Sequence, residues 1–173
     1  MAFIRKGTKP QAGETEPLIS SRGGVQNLSV MQMLDLARRN GIETCPLDVY
    51  ALAGALGIKF LCVPMEGDVS GSLSLSESKK DWLMTVNALH HPNRQRFTVA
   101  HELAHFALHR TRQVEFVDQN FFRNGNSNAM EAEANRFAGE LLMPEELFRK
   151  YVGVFNGDLE LLAQHFKVST LAI

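Results

Sequence analysis

The sequence is short of cysteine, of net charge and of long apolar runs. Among 173 residues there are two cysteines, Cys45 and Cys62. That is too few for a disulfide framework and the wrong count for a cysteine zinc site; they read as reduced thiols in a cytoplasmic protein. Eighteen basic residues against nineteen acidic ones leave a net charge of −1, without the basic excess that direct nucleic-acid binding calls for. No stretch approaches the ~18 consecutive apolar residues of a membrane span. The basic start, Met1 to Pro10, lacks the apolar centre of a secretory signal. What remains is an ordinary soluble composition, 45% hydrophobic and 21% charged, on a chain long enough to bury a core without covalent staples.

Residues 1–27 contain Gly7, Pro10, Gly13, Pro17, Gly23 and Gly24 with few apolar side chains, and read as a flexible N-terminal tail. The folded domain is expected over 28–173. Ser29 suits the cap of a helix running to Arg39, which Gly41 stops. A second helix is expected from Pro46 to Leu56, with Gly57 as its stop. Ile58 to Val63 reads as a strand. Gly71 to Ser76 alternates apolar and polar residues, and Asp81 to Asn87 follows after a short turn, so a hairpin is expected. A long helix should span Arg94 to His109. A polar loop rich in Asn and Gly follows, then helices over 129–142, from Pro144, and from an Asp158 cap to Phe166. The fold class is α+β, a small antiparallel sheet packed beside two long helices.

The chemistry sits in His101-Glu102-Leu103-Ala104-His105. On a helix, residues four apart lie ~40° apart around the axis and one turn apart along it, so two imidazoles converge on one ion. Glu102 lies ~100° round from His101 and ~60° from His105; it flanks the site without having to bind. For this composition a chance match is expected only about 0.015 times. The rest of the helix is apolar, with Val99, Ala100, Leu103, Ala104, Phe106 and Ala107 around a single stripe of His101, Glu102, His105 and His109. A buried helix with that one polar stripe calls for an ion. His109 is ~12 Å along the axis from His101, too far for one ion to hold both, and is better suited to the helix end or to supporting a ligand.

The third ligand is expected from the helix after the loop, in Glu131-Ala-Glu133-Ala-Asn135. Glu131 and Glu133 point ~200° apart. Glu131 and Asn135 share a face with Ala138 and Leu142, the buried side. Glu133 shares its face with Arg136 and Glu140 and reads as solvated. A zinc ion removes the cost of burying a carboxylate, so Glu131 is the expected ligand. Asn135, one turn on, is placed to fix the tautomer of a ligand imidazole. A His₂Glu set leaves a fourth position for water, the mark of a catalytic zinc, one ion per chain. Glu102 is then the proton-transfer group, and peptide hydrolysis the natural reaction.

Two long segments, Arg94 to His109 and Glu131 to Pro144, closely resemble the ImmA/IrrE family of zinc metallopeptidases; Pro46 to Ile58 and Val69 to Leu73 are similar to its N-terminal elements. The resemblance covers about residues 28–170. It implies a zincin-like, gluzincin-type fold, zinc ligands at His101, His105 and Glu131, and the acid/base at Glu102. It also implies a partner of the helix-turn-helix repressor or antitoxin type, cut or regulated by the protein. The tail is outside the shared pattern, and the chain ends at Ile173 where the family usually continues a helix, which reads as a truncated C-terminal helix or as lack of a further domain.

Two functions fit these residues: an endopeptidase acting on a regulatory protein, and a zinc-containing toxin or regulator that binds its partner without cutting it. Direct DNA binding is a third, weaker reading. Leu159 to Ser169 resembles the first half of a helix-turn-helix but lacks a second helix and a basic cluster, so a packing helix is expected. Gly71 to Ser76 is a candidate sheet edge on which an extended substrate could add as a strand. His90, His91 and His109, with Gly71 and Ser72, are the remaining candidates for contacts to substrate or oxyanion.

Overall fold

The computed structural model describes residues 27–78, 80–119 and 128–173; apart from Asn27, the expected tail lies outside them. The chain runs α1 (Val30–Arg39), α2 (Val49–Ala55), β1 (Ile58–Val63), β2 (Val69–Leu75), β3 (Trp82–Asn87), α3 (Pro92–Leu108), β4 (Glu115–Gln119), α4 (Asn128–Leu142), α5 (Glu145–Val154) and α6 (Leu159–Phe166).

Local chemistry sets most of these boundaries. Ser29 and Gln32 form a reciprocal capping box at the start of α1, and Gly41 ends it in the left-handed region at φ +67°. The second helix starts at Val49 rather than at Pro46. The Asp48 carboxylate accepts from the backbone N–H groups of Tyr50 and Ala51, satisfying the first free donors, while Thr44 and Leu47 pair as an isolated bridge just before it. Asp158 caps α6 in the same way, through Glu160 and Leu161. Leu162, Ala163 and Phe166 of α6 are buried, so this segment is a packing helix.

The four strands form one mixed sheet in the order β1-β3-β2-β4. The hairpin pairs β2 with β3 antiparallel, Leu73 opposite Met84. β1 joins β3 in parallel, Ile58 opposite Trp82, which corrects the expected antiparallel sheet to a mixed one. β4 lies in the segment expected to be a polar loop and pairs antiparallel with β2, Leu73 opposite Phe116. This corrects the reading of Gly71 to Ser76 as a sheet edge: β2 has a partner on both sides, and β4 takes the outer position.

One face of the sheet packs on α3. Leu73, Met84, Val86 and Phe116 bury there against Val99, Leu103 and Phe106. Alternation along the strands puts Ser72 and Val117 on the opposite face, where Val117 is exposed. α4 lies along the other side of α3, presenting Ala134, Ala138 and Leu142, all buried. Small side chains there let the two helices approach closely, which brings side chains from each to a common centre. Among the described residues no helix is long and apolar enough to cross a membrane.

Candidate active site

α3 places His101 and His105 one turn apart and buries both. The first turn of α4 brings Glu131 to them. The Glu131 carboxylate lies 3.1 Å from His101 Nε2 and 3.4 Å from His105 Nε2, and the two Nε2 atoms are 3.0 Å apart. Ligand atoms at ~2.0–2.2 Å from a tetrahedral zinc are separated by about 3.3–3.6 Å. The three donors are therefore gathered at close to the spacing one ion requires, and among the described residues this is the cluster with metal-holding geometry. Two imidazoles and a carboxylate are also the donor types zinc takes in catalytic sites. The Glu131 side chain keeps 31% of its surface exposed, so the centre opens to solvent on that side.

The electrostatics agree with a cation site. Burial works to raise the Glu131 carboxyl, but hydrogen bonds from His101 and His105, together with their charge, outweigh it and hold the group far below the ordinary carboxylate range. Burial pushes His105 down, despite its hydrogen bond to Glu131. A lowered Glu131 carboxyl and a lowered His105 imidazole are the directions that metal binding requires.

The outer nitrogens of both imidazoles are engaged. His101 Nδ1 lies 3.0 Å from Asn135 Oδ1, the contact expected from the one-turn spacing of Asn135 after Glu131. His105 Nδ1 lies 3.0 Å from His109 Nδ1. His109 caps the C-terminus of α3 and is itself buried; it stands outside the donor set.

Glu133 departs from its expected solvated role. Its carboxylate lies 3.1 Å from His109 Nε2, and its side chain is 44% exposed. That hydrogen bond is the main reason its carboxyl is held below the ordinary range, against a smaller opposing effect of burial. α3 is a ladder of three histidines, and the long Glu131 and Glu133 side chains reach successive rungs although their Cα–Cβ bonds point apart around α4.

Glu102 is fully buried and is not among the three converging donors. β2 crosses α3 beside it. A methyl group on Gly71 would lie 2.5 Å from Thr98 Cγ2, 2.9 Å from the Thr85 carbonyl and 3.5 Å from Glu102 Oε1. Glycine is what lets the strand lie this close to the helix. Ser72, next along the strand, faces the other side of the sheet. His90 and His91 sit at the opposite end of α3 from the cluster. His91 caps the helix, its Nδ1 accepting from the Asn93 backbone, and the His90 carbonyl accepts from Gln95 Nε2. The structure brings neither to the converging donors.

Phe116 of β4 was not among the candidates. Its ring stacks on that of His105, centroids 4.6 Å apart at 22°, and walls the imidazole on the sheet side. The alternation of exposed Glu115, buried Phe116 and exposed Val117 is the signal, but three residues are too short a pattern to stand out.

The family model of the IrrE N-terminal-like domain, Peptidase M78, matches residues 53–173, which include every residue of this site. A solved structure of a Mycobacterium tuberculosis transcriptional regulator superposes with a TM-score of 0.56 at 20% identity, over 83% of this chain and 44% of that one. At that identity the likeness is one of fold, and this chain spans less than half of the regulator's length. No curated protein matches the sequence.

Proposed function

Because the chain belongs to the Peptidase M78, IrrE N-terminal-like family, we propose that it is a zinc-dependent endopeptidase cutting a partner regulatory protein in the cytoplasm. The observation that carries the reading is the convergence of His101, His105 and Glu131, with Glu102 the next residue of α3 after His101, buried and outside the donor set. His101, His105 and Glu131 would hold the ion. The chemistry zinc supplies at such a set is acidification of water and polarisation of a carbonyl.

The chain's own residues do the rest. Glu102 takes a proton from the attacking water as its oxygen bonds to the carbonyl carbon. Glu102 then gives that proton to the departing amine nitrogen as the C–N bond breaks. Burial of Glu102 keeps bulk water from competing for the proton. Asn135 holds His101 with its Nδ1 protonated, leaving Nε2 free to bind. An extended substrate pairs with the outer edge of β4, the strand whose Phe116 stacks on His105, in place of the β2 edge that the alternation suggested.

The partner we favour is a helix-turn-helix repressor or antitoxin. The zinc-loaded protein and its Glu102→Gln variant, incubated with helix-turn-helix proteins of the same genome, test this. Scission of one such protein into two fragments by the parent alone supports the reading; no scission of any, or equal scission by both, sinks it. The full burial of Glu102 favours one second reading, a zinc-containing toxin or regulator that holds its partner without cutting. In that case Glu102→Gln keeps its effect in cells.

A further inference from the structure

We infer that His109 and Glu133 act together as a positioning pair for the metal ligand His105, holding it in the one tautomer and ring orientation that presents Nε2 to the ion. The inference rests on the metal-site reading above.

The hydrogen bonds run in a line and permit one consistent assignment. An imidazole that binds a cation through Nε2 carries its proton on Nδ1. His105 Nδ1 faces His109 Nδ1 at 3.0 Å, so His105 donates and His109 accepts. A neutral His109 then carries its own proton on Nε2. That atom faces the Glu133 carboxylate at 3.1 Å, an acceptor only. The chain of donors therefore ends on a charge, and each bond in it specifies the next. Reversing the His105–His109 bond would put a proton on His105 Nε2 and block the binding atom.

The two ligand histidines are thus held by different devices. His101 Nδ1 faces a neutral acceptor, Asn135 Oδ1. His105 has an imidazole backed by an anion, and its ring is pinned on one side by Phe116. A carboxylate behind a ligand imidazole raises the ligand's basicity as well as fixing its orientation. Here the carboxylate acts through an intervening histidine, so it can stand at the protein surface while the ligand stays buried.

The test uses the full chain with cobalt(II) and zinc as probes and reads metal affinity and the visible spectrum of bound cobalt. Asn places an acceptor oxygen where His109 Nδ1 lies; Phe fills the space with none. His109→Phe should weaken both metals about 10–100-fold and shift the cobalt bands, while His109→Asn should return most of that loss. Glu133→Gln, which keeps shape and removes charge at a half-exposed site, should weaken binding about 3–10-fold. Parent-like affinity and spectrum in both His109→Phe and Glu133→Gln would overturn the inference, as would an Asn variant no better than Phe. Should His109→Phe fail to fold, the surface-lying Glu133→Gln decides alone: weakened binding supports the pair, parent affinity refutes it. A parent that binds no cobalt overturns the metal site and the pair together. A parent that loses cobalt on His101→Ala but keeps its full affinity and spectrum in His109→Phe and Glu133→Gln overturns the pair only.

Discussion

His101 and His105 each divide their two ring nitrogens between tasks, Nε2 towards Glu131 and Nδ1 towards an outer partner. This division ranks the substitutions. Glu131→Gln replaces an anionic donor by a neutral amide oxygen and should reduce zinc affinity by more than the roughly 10–100-fold typical of an outer partner. Glu133→Gln should reduce it less, because it acts two bonds away through His109. Competition against a chelating dye checks the order, and a larger loss from Glu133→Gln would contradict it. Glu102→Gln should leave zinc content and melting temperature as in the parent and slow turnover by about 10²–10⁴; zinc loss in that variant would make Glu102 a ligand instead. At the two thiols, burial and then the Glu43 charge push Cys45 up, against a smaller opposing pull from Lys150, and the thiol lies 3.4 Å from His165 Nε2. Cys62 is exposed. Iodoacetamide at pH 8 should therefore modify Cys62 before Cys45, as followed by peptide mass spectrometry; the opposite order would be inconsistent with this packing.

Elements differ in how much of them could be read from residues alone. α3 and α4 were legible because each has a long periodic pattern with one chemically distinctive stripe, and the face of α4 that carries Ala138 and Leu142 also carries the Glu131 that reaches His101 and His105. The caps at Ser29 and Asp158 were legible because a short polar side chain before an apolar run has one obvious task. β4 was not, because five residues set among polar neighbours carry too little alternation, and its pairing with β2 is a tertiary fact. The Glu133–His109 bond was hidden for the same reason: helix angles describe where Cβ atoms point, not how far a glutamate reaches. Gly71 looked like part of a substrate-binding edge and is instead the crossing point of β2 over α3. Gly71→Ala should destabilise the fold by about 1–3 kcal/mol, since the added methyl meets the Thr85 backbone as well as Thr98. Thr98→Ser in the same chain removes one of the two clashes and should recover part of the loss. Urea unfolding measures both, and an unchanged midpoint in Gly71→Ala would show that the strand and helix are less closely packed than described.

At the scale of the whole molecule, the sheet packs against α3, and α4 packs against α3 as well and carries Glu131 to the site. The donors come from two separate helices whose relative position is set by the buried alanines and leucines between them. Metal binding therefore depends on the complete fold, and zinc should raise the melting temperature of the parent in a concentration-dependent way. The proposed chemistry depends on a single ion held by His101, His105 and Glu131. Native mass spectrometry of the zinc-loaded full chain tests this most directly. The predicted result is one zinc per chain in the parent and none in His101→Ala, with both folded by circular dichroism. A folded parent that carries no zinc, or a His101→Ala variant that keeps the full complement, would contradict it.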